Sequence, residues 1–320
     1  MNVLHLSFNE VYNFELKSIF QNFDFNYEFQ KINDIDNRKY NLTAERANEY
    51  WKKYKNIFKE FDIIVITDTS PLVRIILEKY EGIIILWINN RIDYHDSGNL
   101  KSYEIFPDND YYNKLNTNKI NFFSMSLFDK YYLMKIKNFN QKINLLYPIG
   151  YNNFDYYFIS DEEIYNFYFN SNHNENEINL EKILQELSIN FQTEYKIGLR
   201  GIIHIPFEWN SFDFFKKIKN NDIFFIPSIE FLKTLSNENN LYWQEPFNFN
   251  NIEKSCWYDI YFKDCFVYFN SWKDLKLKTL TTNFKNKKNI INDFFKFHEK
   301  NSLEIWSNFF KKKVIFSNVG

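Results

Sequence analysis

Four consecutive residues, Glu208, Trp209, Asn210 and Ser211, place a carboxyl, an indole, an amide and a hydroxyl just ahead of a run with helical character, Phe212–Lys219. Asn210 and Ser211 are both good helix N-caps. The N–H groups of a first helical turn and the positive end of its dipole favour an anion, phosphate above all. Arg200 and His204 lie shortly upstream and Asp213 sits inside the first turn. Ser228 and Glu230 follow the next apolar run. A second collection of reactive side chains lies earlier in the chain. Asp68 and Ser70 follow one apolar run, and Asn90, Arg91, Asp93, His95 and Asp96 follow another. Carboxylates and histidine at such positions suit general-base work.

The elements that must position these residues are short apolar runs, as expected for parallel strands covered on both faces. Gly201–Ile205 reads as a strand, 206–211 as a loop, Phe212–Lys219 as a helix and Ile223–Ile226 as a second strand. The same pattern occurs earlier: strand Ile63–Ile66, cap Asp68 to Pro71, helix Leu72–Tyr80, stop at Gly82, strand Ile83–Ile88. Both are βαβ units, and in open α/β sheets ligands bind at the carboxyl ends of the strands. Val3–Phe8, Asn121–Ser124 and Leu145–Ile149 read as further strands, with His5 a core histidine. Thr43 is a fair N-cap for a helix over 44–60, and Ser271 for one that follows it. Trp257–Phe269 reads as strand-rich. Asn289–Lys312 is a long amphipathic helix. The polar stretch Ser171–Glu177 is the best linker or exposed-loop candidate in the chain, with His173 solvated.

Length predicts two domains of about 150 residues each. Residues 1–150 form one α/β domain, 151–288 a second, and 289–320 the closing helix. Aromatic residues make up 21% of the chain, with 37 Phe and 23 Tyr against 6 Gly and 6 Pro. Lys, Asn, Ile, Phe and Tyr share AT-rich codons, so this bias reports genome composition and the rings are packing material. A net charge of −2 gives no electrostatic footprint for nucleic acid. Cys256 and Cys265 cannot make a disulfide framework or a zinc site. No signal peptide and no apolar run long enough for a bilayer is evident, so a soluble, cytoplasmic protein is expected. Asp34-Ile35-Asp36 and Asp108-Asn109-Asp110 have the Asp-x-Asp form of some metal sites but read as surface loops, and no metal ligands are assigned.

The order strand, His, loop, Trp-Asn-Ser, helix, strand, Pro resembles the donor region of GT-B glycosyltransferases, in one branch His-x-Gly-Trp-Asn-Ser-x-x-Glu. The resemblance covers about 30 residues. Trp209, Asn210 and Ser211 match literally, and Pro227 resembles the closing proline. Glu208 replaces the glycine, Pro206 stands at the histidine position with His204 two residues earlier, and Phe214 stands at the ribose-binding acid with Asp213 one residue short. The Glu-x7-Glu signature of other members fails at Lys216. The resemblance implies two Rossmann-like parallel-sheet domains facing a cleft, with the last helix crossing back to the first domain. It implies transfer of a sugar from a nucleotide-diphosphate sugar to a glycan, protein or small-molecule acceptor, without cofactor or bound metal. Arg200, His204, Trp209, Asn210, Ser211, Asp213, Ser228 and Glu230 would bind the donor. Ser70, Asn90, Arg91 and Asp93 would form the acceptor rim, with Asp68, His95, Asp96 and Glu208 as catalytic candidates. Two alternatives stay open: a nucleotide-sugar epimerase of the same fold, and a non-catalytic binding or assembly protein.

Overall fold

The computed structural model describes residues 1–7, 10–31, 42–67, 70–89, 114–115, 119–136, 139–151, 165–170, 174–244 and 249–317, with side chains to 312. The described chain divides into two units, one of Met1–Pro148 with Ile305–Gly320, the other Ile149–Glu304. Each unit is built on one parallel sheet.

The first unit contains β1 (Asn2–Ser7), α1 (Asn13–Gln21), β2 (Asn26–Lys31), α2 (Ala44–Phe58), β3 (Ile63–Ile66), β4 (Ile83–Ile88), β5 (Ile120–Ser124), α3 (Leu127–Ile136) and β6 (Ile143–Leu145). Its strands lie in the order β2-β1-β3-β4-β5-β6, and every pairing is parallel. Both faces are covered, which is why the strands read as unbroken apolar runs. One face carries Leu4, Leu6, Ile64, Ile66, Ile84 and Leu86 against Ala47 and Phe58 of α2 and the segment Leu72–Tyr80. On the other, Trp306 meets Phe20, Trp87 and Phe123. Thr43 caps α2 as expected, accepting from the Arg46 N–H at 3.3 Å. His5 is fully buried, with hydrogen bonds to Tyr27 and Thr67, and burial lowers its pKa to about 3.

The second unit contains β7 (Phe167–Tyr168), α4 (Asn174–Glu177), α5 (Leu180–Glu186), β8 (Phe191–Gln192), β9 (Gly201–Ile203), α6 (Phe212–Lys219), β10 (Phe224–Pro227), α7 (Ile229–Glu238), β11 (Phe266–Phe269), α8 (Trp272–Thr281) and the first part of the long α9 (Phe284–Ser317), whose residues from Ile305 on belong to the first unit. Its order is β11-β10-β9-β7-β8, again all parallel. Both sheets follow one plan: the first strand lies between the second and the third, so the winding direction reverses beside it. That reversal falls between β1 and β3 in one unit and between β7 and β9 in the other. Such a switch point opens a crevice at the carboxyl ends of the strands.

Four expectations change. Leu72–Tyr80 is not an α-helix: a 3-10 helix spans Ser70–Ile75 and turns carry the chain on to Lys79. Val73, Ile75 and Ile76 are β-branched, which weakens the α conformation, and all three are buried with no solvent face to spare. Trp257–Phe269 contains a 3-10 helix, Ile260–Cys265, started by the Asp259 carboxylate accepting from the Tyr261 N–H, and only Phe266–Phe269 is strand. The strand expected at Leu145–Ile149 is shorter and earlier, Ile143–Leu145. The supposed linker is not one over 174–177, where Asn174 and Glu175 are buried in a short helix. Asp34 to Asp36, Asp108 to Asp110 and His173 lie outside the described residues. Among the described residues, no helix is long and apolar enough to cross a membrane, and no group of three or more His, Cys, Asp or Glu could hold a metal ion.

Candidate functional site

At the switch point of the second sheet, beside the carboxyl ends of β7 and β9, lies a cavity of about 340 Å³. Tyr168 and Asn170 reach it from β7, His204 from β9, Glu208 and Ser211 from the loop that follows, and Asp213 and Lys217 from α6. Glu175 and Trp257 complete the wall. The stretch 201–219 therefore does what its pattern predicts: a strand ends, a loop turns, and a helix begins at the rim of a pocket.

The loop is held rigidly. The Asn174 amide donates to the Pro206 carbonyl at 3.0 Å, and the Glu175 carboxylate accepts from the Ile205 N–H at 3.0 Å. Gln244 donates its N–H to the Phe207 carbonyl at 2.8 Å. Trp209 is anchored from both ends: its indole N–H donates to the Gln244 carbonyl at 2.9 Å, and its own carbonyl accepts from the Cys256 N–H at 2.9 Å. Only 4% exposed, Trp209 is a fastening for the loop and does not line the cavity. The indole that does line it is Trp257.

His204 is paired with Glu175. Nδ1 of the imidazole lies 2.7 Å from Glu175 Oε1, and the His204 and Trp257 rings lie 4.4 Å apart between centroids. A carboxylate that already accepts a backbone N–H acts here as an acceptor, so the proton between the two belongs to Nδ1. Nε2 of His204 and Nε1 of Trp257 are buried with no hydrogen-bond partner among the described residues.

Ser211 occupies the N-cap position of α6, but its hydroxyl makes no cap hydrogen bond. It bonds the Glu208 carboxyl instead. Burial raises the pKa of Glu208; the Ser211 hydroxyl and His204 pull it down, and Asp213 and Glu175 push it further up. Asp213 is itself paired with Lys217 at 2.6 Å, and the Lys217 ammonium sits over the rings of Tyr168 and Tyr195.

The other expected donor residues are not gathered here. Arg200 precedes β9, at the amino edge of the sheet, where its guanidinium donates to the Thr279 carbonyl at 3.0 Å and stacks on Phe284. Ser228 caps α7, accepting from the Phe231 N–H, and Glu230 is exposed in the first turn of that helix. Both lie at the carboxyl end of β10, outside the cavity lining. Asn210 sits in the loop without lining the cavity. In the first unit Ser70 is buried at the start of the 3-10 helix. Asp68, Asn90, Arg91, Asp93, His95 and Asp96 lie outside the described residues. Sequence reasoning missed Tyr168, Asn170, Glu175, Lys217 and Trp257. The one available signal was the triplet Phe167-Tyr168-Phe169 between Asn166 and Asn170, a strand short enough to pass for loop.

Two parallel doubly wound sheets and a long C-terminal helix make this the two-domain α/β fold of the GT-B glycosyltransferases. Sucrose-phosphate synthase from Thermosynechococcus elongatus has the same fold, with a TM-score of 0.54 at 5% identity over 99% of this chain and 100% of that one. T4 phage BGT in complex with UDP and Mn2+ aligns with a TM-score of 0.48 at 11% identity, over 98% of this chain and 99% of that one. Glycosyltransferase VinC in complex with DTDP aligns with a TM-score of 0.45 at 8% identity, over 92% and 95%. No protein-family model matches the chain, and no curated protein matches it in sequence.

Proposed function

We propose that the protein is a glycosyltransferase that takes a sugar from a nucleotide-diphosphate donor, and that the donor occupies the cavity beside β7 and β9. The observation that carries this is the cavity's place: it opens at the switch point of the second sheet, between His204 and the start of α6. The diphosphate would lie against the N-terminal turn of α6, where backbone N–H groups and the helix dipole favour it. His204 and Lys217 would add positive charge as the leaving group departs. Glu208 fits this arrangement because its burial favours the neutral carboxyl, which can donate a hydrogen bond. An inverting transfer also needs a base for the acceptor hydroxyl, and Asp68, His95 and Asp96 are the side chains we propose for that role.

A thermal-shift screen of UDP, GDP, ADP and dTDP, each with its sugars, tests the reading. A true donor at one hundred times its dissociation constant stabilises the fold by about 2.7 kcal/mol. Product analysis then separates the alternatives. An epimerase converts the nucleotide-sugar without an acceptor, and a non-catalytic protein leaves it unchanged. Absence of stabilisation by every nucleotide removes the donor assignment.

A further inference from the structure

The Glu175–His204 pair lies in the cavity wall, and Glu175 is not among the residues the sequence pattern singles out. Three features define it. Glu175 is buried in α4 and its Oε1 accepts from both the His204 ring and the Ile205 N–H, so one carboxylate oxygen fixes the side chain and the backbone of adjacent residues. The helix carrying it is itself pinned, since Asn174 bonds the Pro206 carbonyl and accepts from the Tyr242 N–H at 2.7 Å. With Nδ1 engaged, Nε2 is the ring nitrogen left for a ligand, and it is without a partner among the described residues.

We propose that Glu175 is a positioning residue for His204, holding the ring so that its charged form donates a hydrogen bond from Nε2 to a phosphate oxygen of a nucleoside diphosphate in the cavity. The inference rests on the donor-cavity reading above. An imidazolium between a carboxylate and a phosphate satisfies both of its N–H groups. The other charged groups facing His204 are Glu208 from the loop and Asp213 and Lys217 from α6, with the phenol of Tyr168 from β7. Asp213 is paired with Lys217 at 2.6 Å, and burial favours the neutral form of Glu208. Glu175 is therefore the carboxylate in direct contact with the ring.

Calorimetric titration of wild type, Glu175→Gln and His204→Gln with UDP, GDP, ADP and dTDP, and with the matching nucleosides, from pH 5.5 to 8.5 tests this. In Glu175→Gln an oxygen remains to accept from the Ile205 N–H, so the loop can keep its course. The expected result is a loss of about tenfold or more in diphosphate affinity for both variants, with nucleoside affinity little changed. In Glu175→Gln the affinity should fall away at lower pH than in wild type, and in His204→Gln that part of the pH dependence should be absent. An independent measurement on wild type alone is the ring 15N shift of His204. Bound diphosphate should extend the charged form to higher pH. A Glu175→Gln profile that superimposes on wild type, equal loss of nucleoside affinity, or a His204 ring insensitive to ligand overturns the proposal. Failure of wild type to bind any nucleoside diphosphate overturns the donor-cavity reading itself, and this inference with it.

Discussion

Trp87 and Trp306 meet edge to face in the first unit, with ring centroids 5.8 Å apart and planes at 90°. Trp87 lies mid-sheet on β4, while Trp306 arrives from α9, and both are fully buried. Trp306 also stacks on Phe310 and packs against Phe20 and Phe123. Trp306→Ala should destabilise the protein by about 3–5 kcal/mol, the usual cost of emptying a large aromatic site. Denaturant titration measures it, and a loss below about 1 kcal/mol would show that the site is not a packed core.

Gly150 has φ of +78°, and a Cβ there would come within 2.5 Å of the Phe215 carbonyl oxygen. Both the backbone angle and the space exclude a side chain, and a backbone neighbour cannot swing aside. Gly150→Ala should therefore cost at least about 1–3 kcal/mol, read as a lowered melting temperature. An unchanged melting temperature would mean that the close approach is absent in solution.

Asp222 is buried just past the end of α6, and burial pushes its pKa up to about 7, although the Tyr195 hydroxyl donates to it and Lys217 and Lys288 lie near. Its unfolded value is about 3.9. Between these two values the folded protein holds a proton that the unfolded chain has lost, so stability falls as pH rises from about 4 to about 7. The contribution to the slope approaches about 1.4 kcal/mol per pH unit at its steepest. Asp222→Asn removes it, and the variant should gain on wild type as pH increases through this window. Parallel stability–pH curves for the two proteins would contradict the assignment.

Dialysis against a chelator should leave sugar transfer unchanged under the proposed mechanism, in which His204, Lys217 and the start of α6 receive the leaving diphosphate. Activity that disappears on chelation and returns with a divalent cation would instead assign that work to a metal.

Much of the fold was legible because parallel strands buried on both faces must be short and continuously apolar. Ile63–Ile66 and Ile83–Ile88 were bounded correctly on that ground alone. Capping chemistry was also legible, as Thr43 and Ser271 show by accepting from Arg46 and Asp274. The site was only half legible. His204, Glu208, Ser211 and Asp213 stand together because they are close in sequence and local geometry dictates their placement. Glu175 and Trp257 come from distant segments, and nothing in Asn-Glu-Asn-Glu distinguishes a buried anchor from a solvated turn until Pro206 and Ile205 are seen beside it. Arg200 stands apart from the cavity for a related reason. Charge near a strand says nothing about which end of the sheet it serves, and the residue before β9 is at the amino end.

The division of α9 at Ile305 has a consequence for the order of synthesis. The second unit is one continuous segment, Ile149–Glu304, whereas the first is completed by residues made after it. On the ribosome the sheet of the first unit is finished by Leu145, yet Phe20, Trp87 and Phe123 must wait for Trp306 to cover them. During that interval the nascent chain exposes an aromatic surface of the kind that draws chaperones or aggregates. The unit whose strands emerge first is thus the one that closes last.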